Sequence, residues 1–174
     1  DSGNFGKGFE FDGIDDYIQI SDSIDLNTST ISGWIKIESL EDDYGRFYDK
    51  AAKYLASIRK STGRFGCVYY GLSDTSHEAT PNIIDNEWHH VVCNYNGTHI
   101  NSYVDGVAYS APSTGSVNSG TGTLRFGDNG AGSRAFNGTM DEVMIFNRSL
   151  SANEIIALYN ATALEHTETL SEGS

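Results

Sequence analysis

The 174-residue chain has little proline, little cysteine and few basic residues, and each shortage narrows the class of protein. Two prolines stand against 19 glycines, and ten tyrosines are present, a composition that favours many short strands with glycine-rich turns over helices. A chain of this length fits one domain with a core of its own. We therefore predict one all-β domain over residues 1–162, followed by a disordered tail or linker over residues 163–174.

Basic residues are outnumbered, with 11 Lys and Arg against 24 Asp and Glu, so the formal net charge is -13 and the pI is near 4.5. Such a surface repels nucleic-acid phosphates and anionic membranes, and we expect no nucleic-acid partner. No run reaches the roughly 18 apolar residues that span a bilayer, and the first residues lack the apolar core of a signal peptide. We expect no membrane insertion and interpret the chain as a soluble, excised piece of a longer protein.

The two cysteines, Cys67 and Cys93, have no neighbouring Cys or His at the spacing of metal ligands. If the strand near Phe65 lies beside the strand that begins at Trp88, both thiols point to the core and can form a disulfide. Two buried free thiols fit the same pattern. Both alternatives remain open.

The most informative stretch is residues 88–106, WHHVVCNYNGTHINSYVDG. Asn96-Gly97 and Asp105-Gly106 can each take positive φ at both positions, as the tight turns of twisted hairpins require, so the stretch predicts a three-strand meander. The predicted pairs are Tyr95 with Thr98, Cys93 with Ile100, Val91 with Ser102, His89 with Val104 and, across the second turn, Val104 with Val107. One face is apolar and is predicted to be core; it carries Val91, Cys93, Tyr95, Ile100, Val104 and Val107. The other face carries Trp88, His90, Val92, Asn94, His99, Asn101 and Tyr103, and it suits either a covered sheet or a groove for a polar ligand.

Periodicity and turn signals predict the remaining elements. Residues 40–53 are interpreted as a loop or a short strand pair. The predicted strands are residues 9–11, 17–20, 30–38, 54–58, 65–70, 124–127 and 136–146. The last ordered element is a helix over residues 150–159, because Ser151 and Glu154 form a capping box and Leu150 can pack on Ile155.

Five N-x-S/T sequons have a non-proline middle residue, which makes them candidate glycosylation sites and favours a location outside the cell or at its surface. They are Asn27, Asn96, Asn137, Asn147 and Asn160.

Several segments together resemble a laminin G-like domain of the concanavalin A-like lectin/glucanase superfamily, over roughly residues 8–160. They are FDGIDDYIQI, TISGWIKI, the 88–106 stretch, LRFG and FNGTMDEVMIFNRSLSANEIIALY. The resemblance implies a two-sheet antiparallel jelly-roll sandwich, here with one short C-terminal helix. It also implies a carbohydrate-binding or adhesion module of a larger secreted or cell-surface protein, with a glycan or a cell-surface protein as partner. A structural spacer or adhesion domain without a sugar ligand is the alternative.

The superfamily also contains glycosidases, which need two carboxyl groups roughly 5–10 Å apart. The E-x-D-x-x-E pattern of its laminarinase-like glucanases is absent from this sequence. The acidic pairs that do occur are adjacent residues, such as Asp15-Asp16 and Asp141-Glu142, which point to opposite faces of a strand. We expect a non-catalytic protein.

Two kinds of site are predicted from the residues. Members of the family often hold structural Ca²⁺ near the chain ends, and the first and last strands of a jelly roll can adjoin, so Asp12, Asp16 and Asp141 are the candidate ligands. Alternatively, Asp141 accepts backbone N-H bonds from the glycine-rich loop and the other two are solvated. The predicted glycan-binding residues are His90, Asn94, His99, Asn101 and Tyr103; packing beneath covering loops is the alternative, especially for His90. Loop tips at residues 44–48 and 128–134 are rival sites.

Overall fold

Two antiparallel sheets face each other across one core in a computed structural model of the chain. The structure describes residues 3–4, 6–20, 24–73, 76–77, 80–120 and 122–171, and the side chains of residues 76–77 and 164–171 are outside this description. This arrangement confirms the all-β, two-sheet jelly-roll prediction.

The described part of the chain contains twelve strands and one helix. In chain order they are β1 Phe9–Asp12, β2 Ile18–Ile20, β3 Ser29–Ser39, β4 Tyr44–Lys50, β5 Tyr54–Arg59, β6 Phe65–Tyr69, β7 Ser76–His77, β8 Trp88–Tyr95, β9 His99–Val104, β10 Val107–Pro112, β11 Leu124–Phe126, β12 Asn137–Phe146 and α1 Ala152–Ser171.

The first sheet has the strand order β1-β12-β3-β8-β9-β10, and the second has the order β2-β11-β4-β5-β6-β7. The two halves of the segment near residue 13 thus enter different sheets, and β1 pairs with β12 as a jelly roll requires. The core between the sheets consists of large apolar and aromatic side chains, among them Ile31, Ile35, Phe47, Tyr48 and Phe65, all fully buried. Because side chains alternate along each strand, burying one face of each sheet leaves two outer faces, and these two faces differ in what covers them.

The 88–106 meander forms, but its first turn differs from the prediction. Tyr95 pairs with Ile100 rather than with Thr98, and the Asn96 N-H donates to the His99 carbonyl, so the central turn residues are Gly97 and Thr98. The Asn96 side chain explains the change, because its Oδ1 accepts bonds from the N-H groups of Thr98 and His99.

The resulting register differs by two residues, which keeps each side chain on its predicted face because the strand period is two. The second turn is as predicted: Val104 pairs with Val107, and Asp105 and Gly106 have φ of 51° and 77°. Val107, predicted to be core, is 55% exposed on the edge strand β10.

The C-terminal helix begins as the capping box predicts. The Ser151 N-H donates to Glu154 Oε2, the Glu154 N-H donates back to Ser151 Oγ, and Leu150 packs in one cluster with Ile155. The helix then extends to Ser171. The predicted disordered tail is therefore corrected for residues 163–171, whose backbone is helical, and residues 172–174 lie outside the described part of the chain.

A disulfide joins Cys67 to Cys93, with 5.7 Å between their Cα atoms. Of the two alternatives, the bridge is present, but its geometry differs from the expected bridge between neighbouring strands. Cys67 lies in β6 of the second sheet and Cys93 in β8 of the first, so the bond crosses the core and ties the two sheets together.

Candidate functional site

The outer face of the first sheet, where the glycan-binding residues were predicted, is covered by the C-terminal segment and α1. Val92, Tyr103, Leu150 and Ile155 form a second apolar cluster on this side, separate from the core between the sheets. The residues of the predicted site are accordingly buried: His90 is 2% exposed, Asn94 1% and Tyr103 5%. In this structure the helix packs on most of the predicted face. An open depression of about 280 Å³ remains beside the helix, lined by Asn4, Trp34, Glu87, Trp88, Asp105, Tyr159 and Ala163.

Hydrogen bonds fix the covering segment to the sheet. Asn94 Nδ2 donates to the Leu150 carbonyl at 2.7 Å, and Ser149 Oγ donates to Asn94 Oδ1 at 2.7 Å. Thr30 Oγ1 accepts from the Leu150 N-H and donates to the Arg148 carbonyl. The side-chain amide of Asn94 is therefore hydrogen-bonded to the segment that leads into α1, since buried polar groups need hydrogen-bond partners.

Aromatic packing holds the helix further along. Trp34 stacks on Tyr159 with ring centroids 5.9 Å apart, and its Nε1 donates to Thr162 Oγ1 at 3.0 Å. His90 lies against both rings, 5.4 Å from Trp34 and 5.9 Å from Tyr159. Burial lowers the pKa of His90 to about 4, because the charged imidazolium would lose its hydration. His90 is thus a neutral packing residue at pH 7.

Of the remaining two predicted residues, Asn101 lies opposite Asn94 on the same face of the sheet, and His99 lies at the start of β9. Asn101 is 9% exposed, and its Oδ1 accepts a bond from Ser110 Oγ at 2.6 Å. His99 is half-buried at the start of β9, with Nδ1 2.9 Å from Thr98 Oγ1. The Asn101 side chain is therefore hydrogen-bonded within the sheet, and His99 lies beside the first turn of the meander.

The outer face of the second sheet contains an open groove of about 270 Å³. Its lining comes from β4, β5, β6 and the loop before β12, and consists of Tyr44, Arg46, Leu55, Ser57, Arg59, Val68, Tyr70 and Arg134. Cross-strand pairing explains this set, since Tyr44 pairs with Arg59, Arg46 with Ser57, and Leu55 with Val68. Leu55 and Ser57 are 4% exposed, whereas Tyr70 is 37% exposed, so the groove has a buried floor and an accessible aromatic wall.

A β-bulge in β4 sets which residues face the groove. The pairing with β5 shifts between Arg46 and Tyr48, and both Phe47 and Tyr48 are fully buried in the core. Two consecutive inward side chains place Arg46 and Asp49 on the same outer face, although residues three apart in a regular strand face opposite sides. Arg46 Nε donates to Asp49 Oδ2 at 3.0 Å, and burial raises the pKa of the Asp49 carboxyl.

Three guanidinium groups surround the Tyr44 ring. Their central carbons lie 5.1 Å from its centroid for Arg59, 5.7 Å for Arg134 and 6.0 Å for Arg46, within the range of cation-π contacts. The two rival segments meet here, because the Arg46 N-H donates to the Arg134 carbonyl at 3.0 Å. The prediction of a loop tip at residues 44–48 is corrected, since these residues begin strand β4. The bulge that turns Arg46 outward interrupts the alternation by which a strand is identified in a sequence.

The acidic residues predicted as calcium ligands separate into two places. Asp12, Asp15 and Asp16 have ligand oxygens within 4.8 Å of one another on the exposed turn after β1. Three carboxylates of this kind suit Ca²⁺, although Asp12 Oδ1 also accepts from the Ile14 N-H and Asp16 Oδ2 from the Asp12 N-H.

Asp141 does not join that turn. Asp12 pairs with Asn137, four residues from Asp141 along β12, or roughly 13 Å of strand. Asp141 is 8% exposed, and its Oδ1 accepts the N-H of the adjacent Glu142 at 2.8 Å; this donor is not in the glycine-rich loop. A bulge between Asp141 and Met144, with Glu142 at a φ of 47°, interrupts the regular alternation of side chains in β12, and Val143 is 39% exposed.

The sequons differ in what their side chains contact. Asn27, Asn96, Asn147 and Asn160 are exposed, whereas Asn137 is half-buried and its Nδ2 donates to Ser39 Oγ. At Asn96, Thr98 Oγ1 donates to Asn96 Oδ1 at 3.0 Å, so the two polar residues of that sequon lie together. No helix in the described part of the chain combines the length and the apolar character needed to cross a bilayer.

The chain belongs to the concanavalin A-like lectin/glucanases superfamily, since a laminin G-type family model of that superfamily matches residues 12–156. No relative among the curated proteins matches the sequence. Solved structures do match. Domain 4 of AbnA, an extracellular arabinanase from Geobacillus stearothermophilus, in complex with arabinotriose, superposes with a TM-score of 0.73 and 19% identity, over 91% of this chain and 79% of that one.

Two further structures show the same fold. The binding domain of Paraclostridial Mosquitocidal Protein 1 has a TM-score of 0.71 and 15% identity, over 92% of this chain and 44% of that one. A heptameric SAP-like pentraxin from Limulus polyphemus has a TM-score of 0.67 and 16% identity, over 86% of this chain and 80% of that one. This chain therefore spans less than half of the mosquitocidal structure, and at these identities the likeness shows the fold alone.

Proposed function

We propose that this chain is a non-catalytic glycan-binding module that holds a sugar in the groove on the outer face of the second sheet. The observation that carries this proposal is the lining of that groove, which presents tyrosine rings, a serine hydroxyl and guanidinium donors, whereas His90, Asn94 and Tyr103 on the first outer face are buried under the C-terminal segment and α1. Aromatic faces pack on sugar rings and fixed polar groups orient hydroxyls, which is the lining that a small polar ligand requires.

A second cleft, of about 280 Å³, fits a sugar less well. It lies where β1 and β12 of one sheet approach β2 and β11 of the other, and most of its lining is apolar, including Phe9, Ile18, Ile20, Val143 and Ile145. Sugar hydroxyls placed there would lose hydrogen bonds to water with few replacements.

Support for a carbohydrate ligand comes also from the family and from domain 4 of AbnA, whose structure contains arabinotriose. Support for a secreted or cell-surface location comes from the disulfide, since such bonds persist in oxidising compartments, and from the four exposed sequons. The non-catalytic assignment is supported by the groove itself: its lining offers no carboxylate, and adjacent Asp49 is already paired with Arg46.

Binding to a glycan array, followed by titration calorimetry with the best oligosaccharide, tests the proposal. Tyr70→Ala should weaken binding about tenfold, equivalent to about 1.4 kcal/mol, by removing the accessible ring of the groove. Phe9→Ala is the matched control, because Phe9 is a 65% exposed ring at the apolar cleft between the two sheets. Equal affinity in both variants and wild type would rule out this groove. An array without any binder would favour a spacer or protein-adhesion role, and release of reducing sugar would contradict the non-catalytic assignment.

A further inference from the structure

Both tryptophans of the chain border the depression that remains open beside α1 on the outer face of the first sheet, here called the α1 depression. Between β3 and β8, Trp34 pairs with His90 and Lys36 pairs with Trp88, so the two tryptophan side chains lie on the same face of the sheet. Tyr159 of α1 adds a third ring to the lining. Three aromatic rings therefore border a space of about 280 Å³, which is the size of a small organic molecule.

The charged side chains that line the α1 depression are acidic. They are Glu87 and Asp105, and the described lining contains no lysine or arginine. Asp105 is fixed in place, because its Oδ2 lies 2.7 Å from His89 Nδ1 and its Oδ1 accepts the His90 N-H at 2.9 Å. Glu87 is exposed and forms no ion pair within the described part of the chain. Lys36 is half-buried on the same face but lies outside the lining. The lining therefore favours a positively charged ligand and repels an anion.

A buried amide at the border of the α1 depression lacks hydrogen-bond partners. Asn4 is 6% exposed, and neither its Oδ1 nor its Nδ2 has a partner among the residues that the structure describes. Such groups are rare in native proteins, because each has lost its hydrogen bonds to water without a replacement. An N-H donor bound in the depression can supply the partner that Asn4 Oδ1 lacks. This amide is independent of the acidic pair, and it favours a ligand that carries N-H donors.

We propose that the α1 depression binds the protonated amino group of a small organic amine. The ammonium group donates N-H bonds to Glu87 and Asn4. Its charge and the attached alkyl chain lie against the rings of Trp34, Trp88 and Tyr159. Aromatic rings attract cations through their electron-rich faces, tryptophan most strongly, and hydrogen bonds from an ammonium group to a carboxylate add to that attraction. This site is separate from the proposed glycan groove, so either can fail without the other.

A matched pair of ligands tests the proposal. Butylammonium and 1-butanol have the same number of non-hydrogen atoms and differ in charge, and both are titrated into the whole chain at constant ionic strength. Because both tryptophans line this depression, tryptophan emission reports on it directly, and calorimetry gives the affinity. Butylammonium should bind about tenfold or more tightly than 1-butanol, because only the ammonium group forms charge-assisted hydrogen bonds and cation-π contacts.

Variants locate the binding. Glu87→Gln should weaken the affinity for butylammonium about fivefold and leave that for 1-butanol unchanged. Glu41→Gln is the control with the same change of net charge, since Glu41 is an exposed acid in the loop before β4. Trp88→Leu should also weaken butylammonium binding about fivefold, because leucine is apolar but has no aromatic face. Lys36→Gln should act in the opposite direction and tighten binding, since it removes a like charge from this face. Circular dichroism and melting curves verify that each variant folds.

A second cation tests the role of the amide. Tetramethylammonium has the charge and the number of non-hydrogen atoms of butylammonium but no N-H bond, so it should bind more weakly. Asn4→Leu should lower the affinity for butylammonium and leave that for tetramethylammonium unchanged, because the leucine side chain has no hydrogen-bond acceptor.

Several results would overturn the inference. Equal affinity for butylammonium and 1-butanol would show a merely apolar site. Equal losses in Glu87→Gln and Glu41→Gln would show general attraction to the net charge of -13. Tighter binding of tetramethylammonium than of butylammonium, with no effect of Asn4→Leu, would exclude the hydrogen bonds. Failure of butylammonium to bind would refute the site and leave the glycan-binding function standing. Tyr70→Ala, which tests the glycan groove, should leave butylammonium binding unchanged, and a loss there would contradict the assignment to the α1 depression.

Discussion

The pKa values of two adjacent histidines in β8 are shifted in opposite directions because their surroundings differ. Hydrogen bonding to Asp105, 2.7 Å from Nδ1, raises the pKa of His89, and Asp85 lies 3.1 Å from its Nε2. His90, packed under Trp34 and Tyr159, has its pKa lowered to about 4 by burial. Its Nδ1 is buried without a hydrogen-bond partner among the described residues. One neighbour therefore favours its charged form and the other its neutral form.

These shifts have opposite consequences for stability. The unfolded chain binds a proton at His90 near pH 6.5, whereas the folded chain does so near pH 4, so His90 costs stability as the pH falls from 6.5 to 4, by on the order of 3 kcal/mol at the end of that window. His89, with a raised folded pKa, contributes stability below pH 6.5 that is lost as the pH rises through its folded pKa.

We predict that His90→Phe will flatten the acid side of the stability curve. Phenylalanine keeps a ring between Trp34 and Tyr159 without a titrating group, so the variant should exceed the wild type in free energy of unfolding at pH 4.5 and approach it at pH 7.5. Urea denaturation at several pH values measures the difference. His89→Gln is the control with the opposite sign, losing most against the wild type below pH 6. A constant offset for His90→Phe at every pH would refute the assignment.

Among the elements, α1 decides which sheet face is available. Ile155 is fully buried against Val92, Tyr103 and Leu150, while its neighbour Ile156 is 41% exposed. Ile155→Ala should therefore lower the free energy of unfolding by about 2–5 kcal/mol, and Ile156→Ala by well under 1 kcal/mol, because only the first leaves a cavity beneath the helix. Chemical denaturation of both variants gives the comparison. Similar losses in the two would mean that the helix is not seated on the sheet as described.

The turn after β1 carries the calcium prediction. Adding calcium should raise the melting temperature by roughly 2–4 °C when its free concentration is several times the Kd, since a ligand bound only to the folded state stabilises it by about 1 kcal/mol. Asp15→Asn should abolish the increase, because that change removes a carboxylate of the cluster. Glu38→Gln, an exposed acid elsewhere, should retain it. Equal melting temperatures in calcium and in chelator would exclude a calcium site on this turn.

Local sequence signals predicted most of the strands and the start of the helix. Contacts between residues far apart in the sequence determine which side chains are accessible for binding. Ser151 and Glu154 specify the helix start, and Asp105-Gly106 specifies a turn, because the interactions involve residues close in sequence. The first turn lies one residue later than predicted, which shifts the strand pairing by two residues and leaves the faces unchanged. Asn94 bonds to Leu150, which is 56 residues away in the sequence, and therefore lies under the C-terminal segment. This contact depends on how the end of the chain packs, and hydrophobic periodicity contains no information about that packing. The same holds for Arg46, whose outward direction comes from a bulge.

At the scale of the whole molecule, the two sheets differ in how their outer faces are covered. The first sheet packs on both of its faces, against the core that it shares with the second sheet and against the cluster under α1. The second sheet buries only its inner face and leaves its outer face for the groove. Rigid elements position binding groups more precisely than loops do, and here Arg46 and Arg59 both project from strands of that sheet.

The disulfide is the covalent link between these two sheets, and its removal tests how the sandwich is held together. Cys67 and Cys93 are fully buried and separated by 26 residues, so breaking the bond frees a loop of the unfolded chain, and the loss should be about 3 kcal/mol. Urea denaturation of the wild type with and without reductant measures it, and a Cys67→Ala/Cys93→Ala double variant, which reductant cannot change, is the control. Because Cys67 faces the core, on the side of β6 opposite Val68 in the groove, ligand affinity should persist in the folded double variant. Unchanged stability of fully reduced wild type would show that core packing alone joins the sheets.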